Sequence, residues 1–341
     1  MISFESDYIT GAHPKVLQRL IDTNFETQPG YGSDAYCASA AEKIKAFCKC
    51  PDVDVKFLVG GTQTNAIVIS TMLQEYEGVL SAVTGHIHAH EAGAVEYNGY
   101  KILPLKHQQG KINANDVRAY LEAFYKDESR EHMVFPGMVY ISHPTEYGTL
   151  YTKAELTALS TVCEEYNIPL FMDGARLAYA LMSRHTDVTI EDIVSLCNVF
   201  YIGGTKAGTL CGEAVVFTKN NAPTHFLNRI KKRGALLAKG RLLGAQFDAL
   251  FTDDLFCEIG KHAIDMAEKL KEMFTQKGYP FFLDSPTNQQ FVILDKATLE
   301  RLRQHVAFSV WEWIDADHAV VRFATAWSTT QEDLDQLEQY L

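Results

Sequence analysis

Short apolar runs alternate along this chain with segments in which apolar residues recur every third or fourth position. Lys56–Val59, Leu80–Val83, Ile102–Leu105, Gly137–Ser142, Ile168–Met172 and Val199–Ile202 have the length and low charge of buried strands. Between them, His13–Leu20 and Ala38–Phe47 read as helices, as does the stretch that opens at Gly60-Gly61-Thr62 and runs to Leu73. Val117, Tyr120, Leu121 and Phe124 share one helical face. A capping box, Thr152-Lys153-Ala154-Glu155, starts another helix, continued by Leu156, Leu159, Val162 and Cys163. The alternation persists to Phe217, with Glu213–Phe217 as an added strand, and predicts an α/β domain with a mostly parallel sheet.

Beyond that point the pattern changes. Phe247–Phe274 predicts a long helix broken around Thr252-Asp253-Asp254. Phe291–Leu294, Ala307–Ile314 and His318–Ala324 are strand-like, and Thr330 caps a last helix bearing Leu334 and Leu337. The expected organisation is an N-terminal arm (1–22), a large domain (23–246) and a small α+β C-terminal domain (247–341). A chain of 341 residues, 47% apolar, has the material for two such cores.

The net charge of −12 argues against a nucleic-acid partner. No apolar run reaches membrane-spanning length, and Met1-Ile2-Ser3-Phe4-Glu5 is no signal peptide. The seven cysteines are odd in number and scattered, and Cys48 and Cys50 have no second pair with which to hold zinc. Reduced thiols, no metal and a cytoplasmic location are the expectation.

Two charges stand out because each follows an apolar run. Lys206 lies just past Val199–Ile202, in Gly203-Gly204-Thr205-Lys206-Ala207-Gly208. A lysine among small residues at a strand end is an accessible amine, suited to forming a Schiff base; a solvated turn lysine is the plainer alternative. Asp173 ends the run Ile168–Met172, at the edge where open α/β sheets place their ligands. Alone it would read as a helix cap. Together, a lysine for the imine and an acid for a pyridinium nitrogen are the two requirements of a pyridoxal phosphate site. Gly60-Gly61-Thr62, at a helix start, reads as an anion site or as an ordinary turn with a threonine cap.

At this point the chain resembles a family, the threonine aldolases, among the fold-type I pyridoxal phosphate enzymes and their β-eliminating lyase relatives. The resemblance rests on Phe4-Glu5-Ser6-Asp7-Tyr8, Gln28–Asp34, Gly60-Gly61-Thr62-Gln63-Thr64-Asn65, His86–Ala94, Pro144–Thr149, Asp173-Gly174-Ala175-Arg176, Gly203-Gly204-Thr205-Lys206 and Val321–Thr325. These stretches run in order over nearly the whole chain. They imply an aspartate aminotransferase-like large domain with pyridoxal 5'-phosphate on Lys206, and Gly61, Thr62, His86, Asp173, Arg176 and Thr205 around the cofactor.

The resemblance also implies a homodimer or homotetramer with shared active sites. In it Arg241, or failing that Arg233, of the basic segment after Arg229 reaches a neighbouring subunit's cofactor phosphate; a solvated helix face is the plainer reading of that run. Ser6, Arg176 and Arg322 would bind the substrate carboxylate. His86 would stack on the cofactor and act as base, with Glu91 supporting it or capping the next helix. His143 stands in for a second histidine that is not matched, and His88 and His90 read as turn residues. The implied reaction is cleavage of L-threonine or L-allo-threonine to glycine and an aldehyde. Another reaction on the same site (β-elimination or phenylserine cleavage) and a non-catalytic protein on this fold are the alternatives.

Overall fold

The computed structural model describes residues 2–341. Its strands are β1 (Ile2–Ser3), β2 (Asp54–Leu58), β3 (Glu77–Ala82), β4 (Lys101–Leu105), β5 (Phe135–Ser142), β6 (Leu170–Asp173), β7 (Val199–Gly203), β8 (Glu213–Phe217), β9 (Gln289–Asp295), β10 (Val306–Ala307), β11 (Ser309–Trp313) and β12 (His318–Ala324). Seven of them form the central sheet, in the order β2-β8-β7-β6-β5-β3-β4. Only β8 runs antiparallel to its neighbours; the pairings among β3, β4, β5, β6 and β7 are parallel.

The sheet is covered on both faces, which is why its strands read as continuous apolar runs. Side chains alternate between two cores. Leu80, Val139, Ile141, Phe200 and Ile202 point into one, with Val16, Leu159 and Phe247. Val79, Met138, Tyr140, Val199 and Tyr201 point into the other, with Ile67 and Ile69 of the helix Gly61–Met72. The capping box predicted at Thr152 is present, with Glu155 returning to the Thr152 backbone N–H.

A three-stranded antiparallel sheet, β11-β12-β9, forms the second, smaller layer. Its core contains Leu270, Phe274, Val292, Val306, Phe323 and Leu337, together with Phe4 from the N-terminal arm. The arm is threaded there: β1 pairs with β10, Phe4 N–H donates to Ala307 O, and Ala324 N–H donates to Phe4 O. The predicted long helix is two helices, Arg241–Leu250 and Leu255–Gln276, separated by Asp253 and Asp254 in left-handed conformation. The change of core falls within the second helix, between Ile264 and Met266, well beyond residue 246.

Among the described residues no helix is long and apolar enough to cross a membrane, and all seven cysteines are free. Two glycines let the ends of β6 and β7 meet. A Cβ on Gly174 would lie 2.0 Å from the Tyr201 carbonyl oxygen, and one on Gly203 2.3 Å from that of Ala175. Backbone cannot yield as a side-chain tip can, so Gly203→Ala should lower stability by about 1–3 kcal/mol, read as a lower urea midpoint. An unchanged midpoint would show that this contact is not tight.

Candidate active site

The carboxyl ends of five parallel-running strands surround one cavity of about 400 Å³. β2 leads to Gly60, Gly61 and Thr62, β3 to His86 and His90, and β5 to Ser142, Pro144, Thr145 and Glu146. β6 ends at Asp173 with Ala175 and Arg176 beyond it, and β7 leads to Thr205 and Lys206; Tyr8, Tyr201 and Glu213 complete the lining. Lys206 and Asp173, 33 residues apart in sequence, thus face one space.

Asp173 is buried and accepts four hydrogen bonds: from Tyr140 Oη (2.6 Å), Tyr201 Oη (2.5 Å), Asn65 Nδ2 (3.0 Å) and the Ala175 amide (3.0 Å). Burial opposes its charge. The nearby His86 and the bonds from Tyr140, Tyr201 and Asn65 prevail and hold the carboxyl below its ordinary range. It is not a helix cap but a buried, charged acceptor.

Lys206 is partly buried and lines the cavity. Burial first, and Arg176 second, push its ammonium down from the ordinary lysine range, against the pull of Asp7, Asp173 and Glu213. Its backbone is held by Tyr179, whose hydroxyl donates to Lys206 O at 2.6 Å. Glu213 sits behind it, accepting from the Gly204 amide (3.0 Å) and from Thr205 Oγ1 (2.9 Å); burial pushes its carboxyl up.

His86 lies across from these groups. Its Nδ1 bonds Glu91 Oε1 at 2.8 Å, and Asn65 Nδ2 donates to the same oxygen at 2.7 Å. Of the two roles open to Glu91, the hydrogen bond is the one observed. His86 and His88 lie on a short helix, His86–Ala89, with His90 at its C-cap. Residues four apart then share a face, so His90 approaches His86 (ring centroids 5.7 Å apart) and lines the cavity, while His88 turns out to bond Val83 O. His143 does not reach the cavity. Its ring is fully buried, accepts from the Tyr151 amide, and is pushed down to about 4 by burial.

Arg176 also lines the cavity, but Nε and Nη2 are taken by Asp7 at 2.6 and 3.0 Å, leaving Nη1 as its open edge. Arg322 projects from β12 over Trp311, donating to Gln289 Oε1 and to Glu5 O, each at 3.1 Å. Ser6 Oγ, beside that arm, is buried without a partner. Arg241 donates to the carbonyls of Thr23 and Glu26, and Arg233 to Asn98; neither lines the cavity of its own protomer.

Sequence reasoning passed over Asp7, Asn65, Tyr140, Glu146, Tyr201 and Glu213. Asp7, Asn65 and Glu146 lay in stretches already singled out, and Glu213 was a lone charge opening an apolar strand. The two tyrosines gave no signal.

The residues present fit pyridoxal phosphate. A partly buried amine and a buried charged carboxylate line one cavity, and the helix Gly61–Met72 opens onto it with no side-chain cap, its first amides free for an anion. Fold and site together define an enzyme of the fold-type I pyridoxal phosphate class.

Comparison with known proteins narrows the class. Residues 3–334 match the model of the beta-eliminating lyase family. The chain is 29% identical to a low specificity L-threonine aldolase of Pseudomonas sp. (strain NCIMB 10558), over 96% of this chain and 93% of the relative. It is 28% identical to the enzyme of that name from Pseudomonas aeruginosa, over 98% and 95%. A solved threonine aldolase of Leishmania major superposes with a TM-score of 0.96 at 40% identity, covering 100% of this chain and 98% of that one. A Thermus thermophilus aspartate aminotransferase shares the fold at 14% identity, with a TM-score of 0.69 over 100% and 90% of the two chains. The chain belongs to the beta-eliminating lyase family, in its threonine aldolase group.

The Asp7–Arg176 pair yields a prediction about stability. Burial opposes the Asp7 charge, but Arg176, Lys206 and the bonds from Arg176 and Asn288 hold its carboxyl down to about 2, below the ordinary 3.8. Its contribution is therefore present above 3.8 and lost as pH falls through about 2. The shift corresponds to about 2 kcal/mol. Asp7→Asn, which leaves Arg176 buried and unpaired, should cost about 3–5 kcal/mol at neutral pH. In urea titrations the gap between wild type and variant should narrow below pH 4; a constant gap would contradict the assignment.

Proposed function

We propose that this protein cleaves a β-hydroxy-α-amino acid, L-threonine or L-allo-threonine, to glycine and an aldehyde, with pyridoxal phosphate bound through Lys206. The observation that carries the reading is the convergence of the Lys206 amine, the Asp173 carboxylate and the Arg176 guanidinium, which suits an amino acid's carboxylate, on one cavity. When bound, the cofactor draws off the electron pair released at Cα. Asp173 keeps a proton on the ring nitrogen, and its four donors keep Asp173 itself charged. His86, oriented by Glu91, covers one face of the ring. Gly61, Thr62 and Thr205 surround the phosphate end.

The substrate carboxylate is received by Ser6 Oγ, Arg322 and the open edge of Arg176. The unpartnered buried hydroxyl of Ser6 supports this, since buried polar atoms are seldom left unsatisfied. The protein acts in the cytoplasm as a homodimer or homotetramer in which Arg241 reaches a second copy's phosphate site.

Product analysis tests the reaction. With L-threonine and L-allo-threonine, glycine and acetaldehyde should appear in equal amounts; 2-oxobutyrate and ammonia would indicate elimination instead. Arg322→Ala should weaken glycine and threonine binding by about 2–5 kcal/mol while cofactor absorbance is retained. Arg322→Lys should recover little, because a lysine cannot reproduce the planar fork. Loss of the cofactor with normal glycine binding on resaturation would make Arg322 structural.

A further inference from the structure

His86 was the expected acceptor of the hydroxyl proton and lines the cavity, whereas His143 lies outside it. Glu146 lies in it, on the turn after β5, and the sequence analysis gave it no role. Oε1 is anchored twice, accepting from the His86 amide at 2.9 Å and from Ser142 Oγ at 2.6 Å. Oε2 makes no hydrogen bond among the described residues, and the small exposed part of this otherwise buried side chain faces the cavity. A carboxyl with one oxygen fixed and the other open is oriented to exchange one proton at a defined point.

Glu146 is also wired to the rest of the site. Ser142 Oγ lies 3.3 Å from Tyr140 Oη, which donates to Asp173. Asp173 connects through Asn65 to Glu91 and the His86 ring, whose own amide returns to Glu146. Ser142 and Tyr140 each spend their single hydroxyl proton on a carboxylate, so they touch without bonding; the hydrogen bonds that tie Glu146 to Asp173 run through the His86 amide and ring, Glu91 and Asn65.

We propose that Glu146, rather than His86, is the acid–base group that accepts the β-hydroxyl proton; the inference rests on the aldolase reading above. In the step, the O–H bond breaks and its proton passes to Glu146 Oε2. The Cβ=O bond of the aldehyde forms as Cα–Cβ breaks, and the bonding pair stays with Cα, which is reprotonated to give glycine. Glu146 releases its proton to water when the aldehyde leaves, so no net proton is gained or lost.

The electrostatics are consistent with that work. Burial raises the Glu146 carboxyl above its ordinary range, Asp173 adds to this, and Ser142 and His86 oppose it; Tyr140, Tyr147 and Tyr151 are its other titratable neighbours. A base is most effective when its pKa lies near the working pH.

The test is Glu146→Gln in the holoenzyme, a change that preserves shape and the Oε1 acceptor. Threonine cleavage should fall on the order of 10²–10⁴-fold. Cofactor absorbance, glycine affinity by spectral titration and exchange of the glycine α-proton in D2O, which involves no hydroxyl, should stay at wild-type values. Cleavage at the wild-type rate, or equal losses in cleavage and glycine exchange, would overturn the proposal. Ser142→Ala provides a second reading. It removes a donor that lowers the Glu146 pKa, so the acid limb of kcat/KM should move to higher pH; an unmoved limb contradicts the role. A wild-type protein that exchanges glycine but leaves threonine intact would remove the aldolase reading, and this inference with it.

Discussion

A buried carboxylate that keeps its charge is the constraint on which this site depends. Asp173 would be neutral in an apolar interior. It remains charged because two tyrosines, an asparagine and a backbone amide converge on it, and each comes from a different part of the fold. Tyr140 and Tyr201 rise on one sheet face from β5 and β7, the strands on either side of β6, Asn65 from the helix covering that face, and the Ala175 amide from the turn after β6 itself. The parallel sheet is what brings these donors to one point. Substituting one of them would do more than remove a hydrogen bond, since it would alter the charge state on which the cofactor's electronics rest.

A second buried carboxylate organises the molecule on a larger scale. Asp7 lies on the N-terminal arm, bonds Arg176 of the large layer, and accepts from Asn288 Nδ2 of the small one at 2.9 Å. The same arm is pinned to the small layer by Phe4 and by the pairing of β1 with β10. Three pieces of chain distant in sequence therefore meet next to Ser6 and Arg176. The carboxylate subsite proposed above draws on both layers, so it requires that they be docked.

The sequence was most legible where physics acts locally. Strand runs, helical periods and the Thr152 cap depend on near neighbours, and they appear where they were expected. Lys206 and Asp173 could be read because a charge at the end of an apolar run is out of place. The donors to Asp173 could not: Tyr140 and Tyr201 sit inside apolar strands and look like core, and only the assembled sheet aims their hydroxyls at one carboxylate. His90 was read with His88 as a turn residue; in one helical turn His86 and His90 share a face and His88 is excluded, so only His90 joins the cavity. Charges that meet only through tertiary packing, as Asp7 and Arg176 do across 169 residues, leave no local signature.

The central claim is that one amine, lining the same cavity as one buried carboxylate, carries the chemistry. Reduction of the holoprotein with borohydride, followed by mass spectrometric mapping of its peptides, tests this most directly. The account predicts a single phosphopyridoxyl group, on Lys206. A label on any other lysine, or none in protein that has bound the cofactor, would contradict it.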